Sequence, residues 1–124
     1  MLGMRKKDLQ IRTLKINKKI YSEGYSILNF GNASILDQKR ETFFIKASGS
    51  DIETCVLKNM VEVNLKKFRS DKKKQIKPSV DTIIHLELYK YLKNVNCIIH
   101  THSEYSTIIS QSNIEPECFG TTHA

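Results

Sequence analysis

The chain is poor in the residues that would place it outside the ordinary globular classes. It has three cysteines, Cys55, Cys97 and Cys118, an odd number at wide spacing with no CxxC pair. That excludes a disulfide framework and a cysteine-built zinc site, and the three read as small buried hydrophobes. No apolar run approaches the ~18 residues that a membrane-spanning helix needs. The basic start, Met1–Lys7, has no apolar stretch behind it, so a secretory leader is not expected and the cytoplasm is. No internal repeat appears, and the lysine cluster is the one biased tract. Acidic residues are also few, 13 against 20 basic, giving a net charge of +7. The surplus sits in Arg5–Lys7, Lys15–Lys19 and Lys66–Lys74. Without interleaved aromatics or a nucleic-acid motif it reads as a solvated lysine-rich surface, so no nucleic-acid partner is expected.

What is present fits one soluble domain. The length is 124 residues, with 40% hydrophobic and 27% charged residues. Leu14, Ile20 and Tyr21 fall near helical spacing between Lys7 and Glu23, and Gly24 is a plausible stop. Residues 26–36 look strand-like but are broken at Gly31-Asn32. Thr42–Ala47 is β-prone, and Ser48-Gly49 ends it. Val61, Val63 and Leu65 alternate with polar neighbours, as in a half-buried strand. Residues 68–76 form a charged loop or hairpin. Ser79 after Pro78 suits a helix N-cap, and Val80, Ile83, Ile84, Leu88, Tyr91 and Leu92 form an apolar helical face. Cys97–Thr101 reads as a buried strand, and a last helix begins near Ser103. Helices covering a sheet, α/β or α+β, follow from this order; the strand directions stay open.

Several residues can carry chemistry. His100 and His102 are i and i+2, so in a strand their imidazoles share a face and could close on one metal. Two exposed histidines past a strand end are the plainer alternative. A catalytic zinc needs three protein ligands, so the pair alone is insufficient. Gly31-Asn32-Ala33-Ser34 and Ser48-Gly49 are either ordinary turns or sites where backbone N–H groups and polar side chains hold a phosphate. Ser79 either caps a helix or touches an anion at the helix N-terminus. Asp81 lies in the first turn, where a carboxylate is stabilised in any case. His85, four residues on, reads as a structural partner rather than a ligand.

Five stretches in order, Gly31–Ser34 (GNAS), Phe44–Asp51 (FIKASGSD), Lys77–Tyr89 (KPSVDTIIHLELY), Ile99–Ser103 (IHTHS) and Gly120–Ala124 (GTTHA), together resemble the class II aldolase/adducin family. Within it the likeness is greatest to the pentulose-phosphate 4-epimerases and spans residues 8 to 124. The resemblance implies a three-layer α/β/α sandwich with a central, mainly antiparallel sheet, of which residues 1–124 would be the N-terminal part, a single incomplete domain. It implies zinc, with His100 and His102 as two of three histidine ligands. Asp81 becomes a ligand or acid/base beside the metal, and Gly31, Asn32, Ser48, Gly49 and Ser79 the phosphate pocket. The implied substrate is a phosphorylated keto-pentose, epimerised by retro-aldol cleavage and re-addition. Homotetramers with sites between subunits, and no membrane partner, are implied too. A sugar-phosphate aldolase and a non-enzymatic, adducin-like remnant are the alternatives. Two departures stand out. Val80 replaces a serine of the phosphate pocket. The third histidine and the epimerases' aspartate would fall beyond Ala124, so inactivity of these residues alone is the expectation; His123 belongs to the tail motif and is not expected to replace the missing ligand.

Overall fold

The computed structural model describes residues 5–39, 41–68 and 75–117. The elements run α1 (Lys6–Ser22), β1 (Asn32–Asp37), β2 (Thr42–Lys46), β3 (Met60–Asn64), α2 (Thr82–Tyr91), β4 (Cys97–His100) and α3 (Glu104–Ser110). The four strands form one sheet in the order β3-β2-β1-β4, antiparallel throughout. The tail motif at 120–124, with His123, lies outside the described residues, as do Cys118 and residues 69–74 of the charged loop.

Helix α1 stops at the expected glycine. Gly24 has φ +77°, and the N–H groups of Gly24 and Tyr25 donate to Tyr21 O and Ile20 O, each at 2.9 Å. This left-handed exit satisfies carbonyls that the helix end would otherwise leave bare. The helix turns Leu9, Thr13, Asn17 and Ile20 inward. It packs over β1, β2 and β3. Leu9, Phe44, Ile52, Cys55 and Met60 form the core on that face. Asn17 does what an apolar residue could not. Its side chain donates to Ala33 O (2.9 Å) and accepts from Ala33 N–H (2.8 Å), one residue beyond the last β1–β2 pair, Ser34↔Ile45. Buried backbone that has run out of ladder is thereby paired.

The opposite face of the sheet is covered by α2. Leu36, Phe43, Ile45, Val63, Leu86 and Tyr89 form its core. Strand β2 is buried at all five positions because both layers cover it. The arrangement is the α/β/α sandwich that the resemblance implied.

Four expectations are corrected. The expected apolar face of α2 points outward: Val80, Ile83, Ile84, Tyr91 and Leu92 are exposed. The sheet side is instead the stripe Thr82, His85, Leu86 and Tyr89, where hydrogen bonds to β1 outweigh hydropathy. The helix also starts later than Ser79. Pro78 bridges Ala47, and a turn closed by Thr82 N–H on Ser79 O (3.1 Å) leads to a helix whose N-cap position is Asp81. Strand β4 lies at an edge of the described sheet, so Cys97 and Ile99 are exposed rather than core. Cys55 is buried as expected. Of residues 26–36, only Asn32 onward is strand; before it the chain turns through Leu28 at φ +54°.

Candidate functional site

The expected site residues converge where the end of β4, the start of β1 and the entry to α2 meet. Asn29, Gly31, Asn32, Lys46, Ser48, Gly49, Ser79, Asp81, His100 and His102 all line one cavity of about 320 Å³. Antiparallel pairing places Asn32 opposite His100. Gly31, just before it, has φ +75°, and a Cβ there would stand 2.9 Å from the His100 carbonyl oxygen. Only glycine lets the two segments approach so closely.

The polar centre is Asp81. Its Oδ2 accepts from Asn32 Nδ2 at 2.6 Å and lies 3.0 Å from His100 Nδ1. Burial pushes this carboxyl's pKa up, but the hydrogen bonds from His100 and Asn32, with the nearby imidazole charge, outweigh it and hold it below the ordinary value. An ionised carboxylate only accepts, so Nδ1 of His100 carries a proton, and in the neutral ring Nε2 is the nitrogen left with a lone pair. His102 stands beside it, ring centroids 4.7 Å apart, and the Phe30 ring lies 5.4 Å from that of His102. Its backbone N–H is tied to Tyr25 O at 3.0 Å.

This donor set answers part of a metal's needs. Two neighbouring imidazoles, one already oriented by a carboxylate, are what zinc takes as ligands with their supporting shell. Asp81 turns Oδ2 to the histidine, leaving Oδ1 for a metal or a proton. Among the described residues no group of three or more His, Cys, Asp or Glu side chains is arranged to enclose an ion. The residues thus fit as two ligands and an orienting carboxylate, short of a closed shell.

The anion end differs in detail from the expectation. Both donors of Asn32 serve the protein: Nδ2 also reaches Ser79 Oγ at 3.2 Å. Its Oδ1 is buried with no partner, an acceptor waiting for a donor. The Ser48 N–H is occupied by Lys77 O at 2.9 Å. What remains for an anion is the Ser48 hydroxyl, the Gly49 N–H on a turn at φ +67°, and Ser79. Ser79 Oγ accepts from Asn32 and from Asp81 N–H (3.3 Å), so its own proton is free to be donated.

Sequence reasoning missed Lys46. It lies in the quoted FIKASGSD stretch but is the inward end of β2, 3% exposed. Its Nζ donates to Asn29 O (2.9 Å) and Ser50 O (3.1 Å), with one N–H to spare. Burial lowers its pKa, opposed by negative charge at Cys55, Asp81 and Asp51. A lysine ending a strand of otherwise buried residues was the available signal: charge is seldom buried without a use.

This chain belongs to the class II aldolase and adducin family: residues 12–124 match the Class II Aldolase and Adducin N-terminal domain. A more particular likeness is to the Probable L-ribulose-5-phosphate 4-epimerase of Mycoplasma pneumoniae, 34% identical over 117 residues, covering 94% of this chain and 48% of that protein. Among solved structures, an L-fuculose 1-phosphate aldolase superposes with a TM-score of 0.76 at 23% identity, over 89% of this chain and 51% of that one. The Thermus thermophilus L-fuculose-1-phosphate aldolase gives 0.66 at 20% identity, over 86% and 52%. At those identities the structures establish the fold. The chain spans about half the length of the relatives it matches.

Proposed function

We propose that this chain carries the anion pocket and two zinc ligands of an L-ribulose-5-phosphate 4-epimerase. The observation that carries the reading is the Asn32–Asp81–His100 chain of hydrogen bonds, with His102 beside it, lining one cavity with Ser48, Gly49 and Ser79. The epimerase relative supports the choice of substrate.

The described groups divide the work. The Ser48 and Ser79 hydroxyls and the Gly49 N–H would hold the phosphate of a keto-pentose phosphate, and the buried Lys46 ammonium adds positive charge to that side. Asp81 fixes the His100 tautomer, so that Nε2 is presented as a ligand. A zinc ion held by His100 and His102 would supply Lewis-acid stabilisation of negative charge on the substrate's oxygens while the C3–C4 bond is broken and remade. Asp81, which lines the cavity, would take or return a proton there. The exposed apolar faces of α2 and α3 are surfaces that an oligomer of the expected kind would cover.

The test is zinc equilibrium dialysis of the purified chain, followed by incubation with L-ribulose 5-phosphate. Zinc binding that is lost in His100→Ala and His102→Ala, together with binding of the phosphate ester, supports the reading; D-xylulose 5-phosphate as product would identify the epimerase and overturn the expected inactivity of these residues alone. Release of dihydroxyacetone and glycolaldehyde phosphate would make it an aldolase. Neither zinc binding nor phosphate-ester binding would leave the adducin-like alternative.

A further inference from the structure

Behind Asp81 lies a polar network that the proposed chemistry does not use. Ser34 follows Asn32 by two residues on β1 and faces the same side of the sheet. His85 follows Asp81 by one turn of α2, and Tyr89 by two. The two stripes meet in rungs. Asn32 bonds Asp81 at 2.6 Å. Ser34 Oγ bonds His85 Nδ1 at 2.7 Å and Tyr89 Oη at 2.8 Å. Tyr89 Oη also donates to Ser34 O at 2.9 Å. All three side chains are buried.

The protons of this network can be assigned by counting. Tyr89 has one hydroxyl proton, and Ser34 O takes it. The Ser34 hydroxyl therefore donates to Tyr89 Oη, and Ser34 Oγ accepts from His85 Nδ1–H. Every group then has one role, and His85 is neutral with its proton on Nδ1. Apolar side chains would fasten a helix to a sheet without the cost of burying three polar ones. What hydrogen bonds add is registration: they fail within a few tenths of an ångström, whereas apolar contacts slide.

We propose that Ser34, His85 and Tyr89 are positioning residues, fixing the height of α2 on β1 so that Asp81 stands within hydrogen-bond reach of His100. This rests on the reading of Asp81 and His100 as site residues, but its first readout is independent of zinc.

The experiment is long-range ¹H–¹⁵N spectroscopy of the histidine rings in the full chain, with and without zinc. In the wild type His85 and His100 should both be single Nδ1–H tautomers. Tyr89→Phe keeps the ring against Phe43, 5.2 Å away, and removes only the hydroxyl. It should turn His100 into a mixture of tautomers and, where zinc binds, weaken it by about tenfold, an effect typical of disturbed supporting shells. Ser34→Ala should do the same, and Ser34→Thr, which keeps the hydroxyl, should restore the wild-type spectrum. A His85 ring protonated on Nε2 in the wild type overturns the proposal, even if every variant fails to fold. So does a folded Tyr89→Phe chain whose His100 tautomer is unchanged. If the wild type shows both Nδ1–H tautomers and Tyr89→Phe disturbs His100, yet no zinc binds, the positioning stands and the zinc reading falls.

Discussion

Acid should unfold this protein through His85. The imidazole is buried against β1, and burial lowers its pKa from 6.5 to about 4, opposed by the Asp81 charge and helped by His100. Above pH 6.5 the ring is neutral in both folded and unfolded chains, and its pKa difference has no effect. Between 6.5 and about 4 the unfolded chain binds a proton that the folded chain refuses, so stability falls as the pH falls. At about 1.36 kcal/mol per pH unit the gap amounts to ~3 kcal/mol. That is a large share of the roughly 5–15 kcal/mol that holds a domain together. Asp81 acts in the same direction but lower: its folded pKa lies below 3.8, so what it contributes is lost beneath that value. The assay is urea unfolding followed by circular dichroism at half-unit steps from pH 8 to 4, for the wild type and His85→Gln. Glutamine can still donate to Ser34 and does not titrate. The wild type should lose ~3 kcal/mol more than the variant between pH 6.5 and 4. Parallel losses in the two chains would refute the reasoning.

Other consequences can be checked singly. Gly31→Ala would place a methyl group 2.9 Å from the His100 carbonyl on a backbone at φ +75°, and should cost about 1–3 kcal/mol, read as a lower melting temperature. Asn17→Leu would strand the N–H and C=O of Ala33 between α1 and the sheet; a loss of about 3 kcal/mol in urea unfolding is expected, despite the gain in hydrophobicity. Val80→Ser would add a hydroxyl to the cavity wall beside Ser79, and should tighten binding of inorganic phosphate by about tenfold in calorimetry, one charge-assisted hydrogen bond's worth.

Much of this was legible in the sequence because turns and strand ends announce themselves. Gly24, Gly31 and Gly49 each sit at positive φ, and each marks a boundary read from the residue alone. The His100–His102 pair is legible in strand periodicity, although β4 ends at His100 and His102 lies past it; the company of Asp81 follows from the ordered motifs, whereas Asn32, expected in the phosphate pocket, instead bonds Asp81. Helix α2 defeated the same logic. Its outward face is more apolar than its inward one, because the inward stripe is chosen for hydrogen bonds to Ser34 and Asn32. Hydropathy reports burial only where burial is apolar. Lys46 was hidden for a related reason: a cation inside a sheet reads as surface until the strand is seen to be central.

The meeting of β1 with α2 also behaves like a vernier. Two residues of strand advance about 6.7 Å, while four residues of helix advance about 6.0 Å. Each rung therefore drifts by about 0.7 Å, more than a hydrogen bond tolerates over several repeats. The first two rungs, Asn32 with Asp81 and Ser34 with His85, are polar. Tyr89, one turn further on, reaches back to the Ser34 rung, and beyond it Leu36 joins the apolar cluster with Leu86, where the contact absorbs the slip. Fine placement is thus set by the hydrogen bonds made between Asp81 and Tyr89, and only the end of the helix past Tyr89 can shift with little effect on the histidines. Substitutions should be tolerated more readily past Tyr89 than between Asp81 and Tyr89.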